Sequence, residues 1–401
     1  MRILIADALP DAARLELQAA GLEVHVDPRL DGPTLAAAIA ELAPEVLVVR
    51  STKVKADALA ASPALQLVVR ARAGVNTIDL PAASARGIFV TNCPGTNAVA
   101  TAELAFAHLL NADRRLADAT ADLRAGSWQK SKYSKGFGLK SRTLGVLGTG
   151  DIGKAVIARA LAFEMNVIAW SPSLTPARAA ALGVTRADSP VEVARAADAL
   201  TVHLALTPAT RGFVGPALFD ALRPGALFIN TSRGEVVDEA ALAQAVEQKG
   251  IRVGLDVFAD EPAADGEWRG AVMALPGVYG TPHVGASTAQ AQEAVASETC
   301  AIILEWARQG TVKNCVNLAA STPATHLLVV RHVDQVGVLA GILGLLREAQ
   351  INVQQMENIV FSGARAACAR IQLEGAPSDA VLAALAEDAA IFEVKLVELV
   401  G

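Results

Sequence analysis

The stretch TLGVLGTGDIG, residues 143–153, decides how this chain is read. Its apolar run from Thr143 to Leu147 predicts a strand, and an Ala-rich helical pattern takes over after Gly153. Gly148, Gly150 and Gly153 form a GxGxxG between the two. In that motif the first glycine permits a tight turn and the second lets a pyrophosphate approach the backbone. The third lets helix and strand pack closely. The amides at the helix N-terminus then face the phosphates. Glycines are common in turns, so the motif gains weight only from its context. Here that context is the strand before it, the helix after it and a second strand, NVIAW, at 166–170. Such a fold usually ends this second strand with a carboxylate for the adenosine ribose. Ser171 stands there instead, followed by Pro172 and Ser173, and Arg178 is the first cation. A serine neither accepts as strongly as a carboxylate nor repels a 2′-phosphate. The expected cofactor is therefore NAD, with NADP not excluded.

Outward from this turn, the whole chain alternates. RILIAD, LEVHVD, EVLVVR, LQLVVR and GIFVTN read as strands separated by Ala-rich helices. After a long helical segment, AELAFAHLLNADRRLADATADLRAG, the alternation restarts at TLGVL and runs through NVIAW, ALTVHLA, ALFINTS and IRVGLDV. Two such series predict an α/β fold with two doubly wound, Rossmann-like parallel sheets. A helix ending at Gly310 and a small-residue stretch, NLAASTPAT, follow. From His326 the order becomes βαββαβ, the ferredoxin-like arrangement. The expected organisation is 1–97 with 284–316 as a substrate-binding domain and 98–283 as a dinucleotide-binding domain. A linker at 317–325 and a regulatory domain at 326–401 complete it.

Composition excludes several classes. The 401 residues exceed one compact core. A net charge of −6 argues against nucleic acid, which needs a surplus of Lys and Arg. Cys93, Cys300, Cys315 and Cys368 show no CxxC pairing and no histidines at metal spacing. Reduced thiols, no metal and a cytoplasmic location are expected. The opening MRILIADAL, interrupted by Asp7, reads as a first strand rather than a signal peptide. No apolar run is long enough to cross a bilayer, so no membrane partner is expected.

Three further segments follow predicted strands, where ligands of open α/β sheets bind. NTSRGEVVDEAAL carries Arg233, whose guanidinium fork can hold both oxygens of a carboxylate. GLDVFADEP carries Asp256, Asp260 and Glu261, and TPHVGAS carries His283. A carboxylate that orients an imidazole makes a competent acid–base pair. Acidic loop residues are ordinarily just solvated and single histidines ordinarily structural; His203, in TVHLAL, reads as a packed strand-end residue.

Together, LGVLGTGDIG, NTSRGEVVDE, GLDVFADEP and TPHVGAST resemble the signature segments of the D-isomer-specific 2-hydroxyacid dehydrogenases, from near residue 1 to about 315. VVRSTKV, RAGVNTID and TNCPGTNAVATAEL resemble the phosphoglycerate dehydrogenases within that family. The segment from His326, with HVDQVGVLAGIL, resembles an ACT domain. The resemblance implies oxidation of 3-phosphoglycerate to 3-phosphohydroxypyruvate with NAD, in L-serine biosynthesis. It implies Arg233 as carboxylate binder, Glu261 as partner of the histidine and His283 as acid–base. Asp151 and Ile152 would border the pyrophosphate. Thr231, Ser232 and Asp256 would line the nicotinamide side, flanked by Gly285 and Ala286. Arg50, Ser51 and Lys53 would face the substrate phosphate, with Gly74, Val75 and Asn76 near its carboxylate. RAGVNTID departs from the family's usual RAGxGxDN. The resemblance also implies a homodimer or homotetramer, with Ala102–Asp122 and GSWQK near the contact. His332, Asp334 and Asn352 would match the positions that hold an amino-acid effector between paired ACT domains. The alternatives are a glyoxylate or hydroxypyruvate reductase, against which VVRSTKV argues, and a nucleotide-sensing corepressor on the same scaffold.

Overall fold

The computed structural model describes residues 1–262 and 265–399; residues 263–264 and 400–401, the latter closing the expected regulatory domain, lie outside that description. The chain divides into two compact units, Met1–Asn317 and Leu318–Gly401.

The first unit holds two parallel sheets. One is built from β1 (Arg2–Ile5), β2 (Glu23–Val26), β3 (Val46–Val49), β4 (Leu67–Arg70) and β5 (Phe89–Asn92), in the order β2-β1-β3-β4-β5. Every residue of β3 and β4 is buried. That is why VLVV and LVVR show no alternation: helices cover both faces of a parallel sheet. One of these helices is Ala289–Gln309, whose Ala296, Cys300, Ile302 and Ile303 join Ile3, Ile5, Val46 and Val48 in a single core. The chain thus returns to its first sheet after completing the second.

The second sheet contains β6 (Thr143–Leu147), β7 (Asn166–Trp170), β8 (Thr185–Arg186), β9 (Ala199–Val202), β10 (Leu227–Asn230), β11 (Arg252–Leu255) and β12 (Val278–Gly280). Their order is β12-β11-β10-β9-β6-β7-β8, all parallel. Strand order reverses between β6 and β9, and such a switch point opens a crevice at the carboxyl ends of the strands. The long helix expected before this sheet is two helices, Ala98–Arg114 and Leu116–Arg124. They break at Arg115, whose φ of 56° lies in the left-handed region. Asn111 Oδ1 accepts from the Ala117 amide (2.9 Å) and Arg115 pairs with Asp118 (3.0 Å), so side chains offset the lost helical bonds.

The second unit is an antiparallel sheet of β13 (His326–Val333), β14 (Val353–Val360), β15 (Ala366–Leu373) and β16 (Ile391–Glu398), ordered β14-β15-β13-β16. Helices Val338–Glu348 and Asp379–Glu387 supply Ile342, Leu346 and Leu385 to a core with Leu328, Val330 and Ile371. Among the described residues no helix is long and apolar enough to cross a membrane.

Candidate active site

The glycine turn lies at the switch point. Gly148 has φ 98°, and a methyl group there would sit 2.3 Å from the carbonyl oxygen of His203, at the end of β9. A methyl at Gly153 would meet Gly148 O at 2.1 Å, whereas one at Gly150 would meet open space. The outer two glycines are therefore demanded by the protein's own packing, and Gly150 leaves its space to a ligand. Asp151 and Ile152 open the helix Asp151–Ala162. The Asp151 carboxylate faces the loop after β5, within 3.2 Å of where a methyl on Gly95 would be. Among the described residues, two buried polar atoms of this crevice have no partner: Thr231 Oγ1 and His203 Nδ1. Burial of the His203 ring drives its pKa down to about 3. Open space at Gly150 and an orphaned Thr231 hydroxyl beside buried Ser232 fit a dinucleotide. At the tip of β7, Ser171 Oγ lies 3.4 Å from Ser173 Oγ, and Arg178 Nη1 donates back to Ser173 O (3.2 Å).

The segments after β11 and β12 bring a carboxylate and an imidazole together. His283 Nδ1 and Glu261 Oε2 are 2.7 Å apart, and Glu261 Oε1 accepts from the Phe258 amide (2.9 Å). Burial raises the Glu261 pKa, but the His283 hydrogen bond, the Phe258 amide and the charges of His283 and Arg233 outweigh it. The carboxyl stays below its ordinary range. The loop bearing His283, itself at φ 51°, is strung on Asp256. Asp256 Oδ1 accepts from Thr281 Oγ1 (2.6 Å) and the Val284 amide (2.9 Å), and Oδ2 from the Gly285 amide (2.8 Å). Its carbonyl accepts from the His283 amide (2.8 Å). Both oxygens of Asp256, expected to line the nicotinamide side, thus hold the loop of His283. A methyl on Gly285 would sit 2.8 Å from Asp256 Oδ2, so the approach needs glycine; Ala286 follows it, exposed. His108 Nε2 extends the network to Thr281 Oγ1 (3.0 Å).

Arg233 ends the turn after β10. Asn230 folds that turn, accepting from Ser232 N (3.0 Å) and Ser232 Oγ (2.7 Å) and donating to Arg233 O (2.9 Å). At Gly234 a methyl would lie 2.0 Å from the Phe258 carbonyl carbon, so this glycine brings the Arg233 turn against the loop of Glu261. From the first sheet, the loop 70–76 meets the same arginine. A methyl on Gly74 would be 3.1 Å from Arg70 Nη1 and 4.0 Å from Arg233 Nη2, which puts these two nitrogens within about 7 Å of each other. Asn76 Oδ1 accepts from Arg70 Nη1 (2.7 Å), and Val75 O accepts from the Ile78 amide, closing the turn. The Arg50–Lys53 segment is anchored by Asp7, whose Oδ2 accepts from the amides of Arg50 (2.6 Å), Ser51 (3.0 Å) and Thr52 (3.0 Å).

Sequence reasoning missed Arg70 and Arg72. Arg70 is 5% exposed, and burial, then the charges of Arg72 and Arg233, bring its pKa to about 10. The one available signal was a pair of arginines, one ending a strand and one just past it, in VVRARAG. The departure from RAGxGxDN is also one of register. Arg70 is the residue that bonds Asn76, and counted from Arg70 the segment has the length of the RAGxGxDN pattern, with Arg72 at its first glycine.

The expected effector residues stand apart within one chain. His332 is a buried strand residue, its Nδ1 on Val333 O (2.8 Å) and Nε2 on Asn358 Oδ1 (3.1 Å). Asp334 follows at the same end of β13. Asn352 precedes β14, and Val353 pairs with Leu373, the partner of His326 at the opposite end. At ~3.3 Å per residue the separation along the sheet is about 20 Å. A site using all three needs a second copy of the chain. Asn352 Nδ2 donates to Glu374 (3.1 Å).

Comparison with known proteins adds to this geometry. Residues 106–285 match the family model described as D-isomer specific 2-hydroxyacid dehydrogenase, NAD binding domain. The chain is 44% identical over 296 residues to a D-3-phosphoglycerate dehydrogenase of Mycobacterium leprae, an alignment covering 73% of this chain and 54% of the relative. The chain spans between 54% and 66% of the length of the first curated relatives it matches. Among solved structures, a Thermus thermophilus protein is 32% identical, with a TM-score of 0.68, covering 79% of this chain and all of the other. A cofactor-bound (NAD+) 3-phosphoglycerate dehydrogenase of Entamoeba histolytica is 25% identical, with a TM-score of 0.64, covering 79% of this chain and 99% of the other.

Proposed function

This chain belongs to the D-isomer specific 2-hydroxyacid dehydrogenases, and from that premise we propose that it oxidises 3-phosphoglycerate to 3-phosphohydroxypyruvate with NAD. The observation that carries the substrate assignment is the gathering of arginines from two sheets beside the His283–Glu261 pair. A phosphorylated hydroxy acid brings anionic groups at both ends, and this site offers cations for both.

NAD, when bound at Gly150 and Thr231, supplies the hydride acceptor. Arg233 grips the substrate carboxylate and polarises the oxygen at C2 as it becomes a carbonyl. His283 Nε2 takes the proton from the C2 hydroxyl. Glu261, ionised across the working pH range, holds Nδ1 protonated and stabilises the imidazolium that forms. Asp256 keeps the loop carrying His283 in its left-handed turn, so the imidazole reaches the substrate without reorganisation. Arg50, Ser51 and Lys53 receive the phosphate, and Gly74, Val75 and Asn76 border the carboxylate end.

The second unit is proposed as an ACT-type regulatory domain binding an amino acid between two copies through His332, Asp334 and Asn352. The first unit is proposed to dimerise through the surface after helix Leu116–Arg124, where the loop residues Trp128 and Phe137 are 80% and 78% exposed. Four free cysteines accord with a cytoplasmic location.

The test is a substrate panel of 3-phosphoglycerate, D-glycerate and D-lactate with NAD and NADP. The expected result is the highest kcat/KM for 3-phosphoglycerate with NAD. Preference for an unphosphorylated acid would overturn the substrate assignment, and absence of turnover on all three the enzymatic one.

A further inference from the structure

We propose that Arg72 is a specificity-determining residue of this site, its guanidinium binding the anionic group at the end of the substrate remote from the carboxylate. This rests on the 2-hydroxyacid dehydrogenase reading and adds to it the first residue of RAGVNTID, to which the motif assigned no role.

β3 and β4 are parallel neighbours with Val49 opposite Arg70, so Arg50 and Arg72 leave adjacent strand ends at nearly the same level. β1 pairs Ile5 with Val48, which brings Asp7 to the same edge. The backbone of Arg72 is held at both sides: its amide donates to Arg70 O (2.7 Å), and its carbonyl accepts from the Cys93 amide (3.0 Å). The two arginines of this loop then divide the work. Arg70 turns inward to Arg50 O (3.3 Å) and Asn76 Oδ1 (2.7 Å) and builds the loop. Arg72 is exposed, and among the described residues its side chain makes no hydrogen bond and no ion pair.

The charge balance says what Arg72 lacks. Thinning of water around its guanidinium, then the Arg50 charge, lower its pKa; Asp7 opposes this and Arg233 adds to it. Yet Asp7 Oδ2 is already engaged by three amides of residues 50–52. Like charges crowded with so little compensation are relieved by an arriving anion. A carboxylate on Arg233 answers one guanidinium, leaving the mutual repulsion of Arg50 and Arg72 unrelieved. A phosphate, with three acceptor oxygens and up to two charges, answers both. An unphosphorylated hydroxy acid leaves them unmet.

The experiment compares Arg72→Gln and Arg72→Lys with the parent full chain, on 3-phosphoglycerate and D-glycerate. In parallel, inorganic phosphate is titrated calorimetrically into each protein. For Arg72→Gln, kcat/KM on 3-phosphoglycerate is expected to fall about 10- to 100-fold, the worth of one charge-assisted contact, chiefly through KM. The loss on D-glycerate is expected to be at least ~10-fold smaller, phosphate affinity to drop in step, and lysine to recover part of both. Equal losses on the two substrates, or unaltered phosphate affinity in Arg72→Gln, would overturn the assignment. Should the parent protein turn over neither substrate, the proposed reaction fails, and the phosphate titration alone decides the role of Arg72.

Discussion

An imidazole becomes an acid–base catalyst when something holds its far nitrogen, and Glu261 does so for His283 at 2.7 Å. Replacing His283 by alanine removes the proton acceptor but leaves Arg233, so binding should persist while turnover falls. The expected loss in kcat is at least ~10²-fold, the low end for acid–base catalysis. Turnover within a few-fold of the parent, with melting behaviour unchanged, would remove His283 from the chemistry. At this scale the grouping of Glu261, His283 and Arg233 was legible where residue type and position after a strand coincide. Arg70 and Arg72 were not legible, because an arginine at or just past a strand end ordinarily lies in water. Nothing local reveals that Arg70 is buried or that the charges of Arg50 and Arg233 act on Arg72.

Strand ends are the elements that build this site, and their composition has consequences for stability. His203, just beyond β9, keeps its ring nitrogen Nδ1 buried without a partner, and burial holds the folded-state pKa near 3. The unfolded chain titrates this ring at the ordinary value of about 6.5. Between those values the unfolded state binds the extra proton, so stability is complete above pH 6.5 and declines as pH falls. The slope from this group is at most roughly 1.4 kcal/mol per pH unit. Denaturant unfolding of His203→Gln should show a flatter dependence between pH 6.5 and 4.5 than the parent; identical slopes would place the acid sensitivity elsewhere. Elements were well legible wherever burial on both faces yields continuous apolar runs, as in VLVV and LVVR. The helix break at Arg115 was not, since Ala-rich sequence on both sides favours continuation and the compensating bonds come from Asn111 and Asp118.

At the scale of the whole molecule, the second unit forms its own core of Leu328, Val330, Ile342 and Ile371. If His332, Asp334 and Asn352 meet across two copies, L-serine should bind the full chain with measurable heat and lower its turnover. Asp334 retains an acceptor for the ammonium group but lacks an amide donor, so Asp334→Asn should tighten binding. No heat and no inhibition with serine or glycine would leave the unit a purely structural role. By itself the sequence determined the two strand–helix series, the glycine turn between them and the βαββαβ ending. These follow from hydrophobic period and turn chemistry, which act over a few neighbouring residues. Only the tertiary structure decided which cations share one site. Parallel strands pair residues that lie far apart in the chain, so Asp7, Arg50 and Arg72 meet at one sheet edge through register alone. Arg233 joins them from the other sheet, where Gly74 and Gly234 permit an approach that no local propensity encodes.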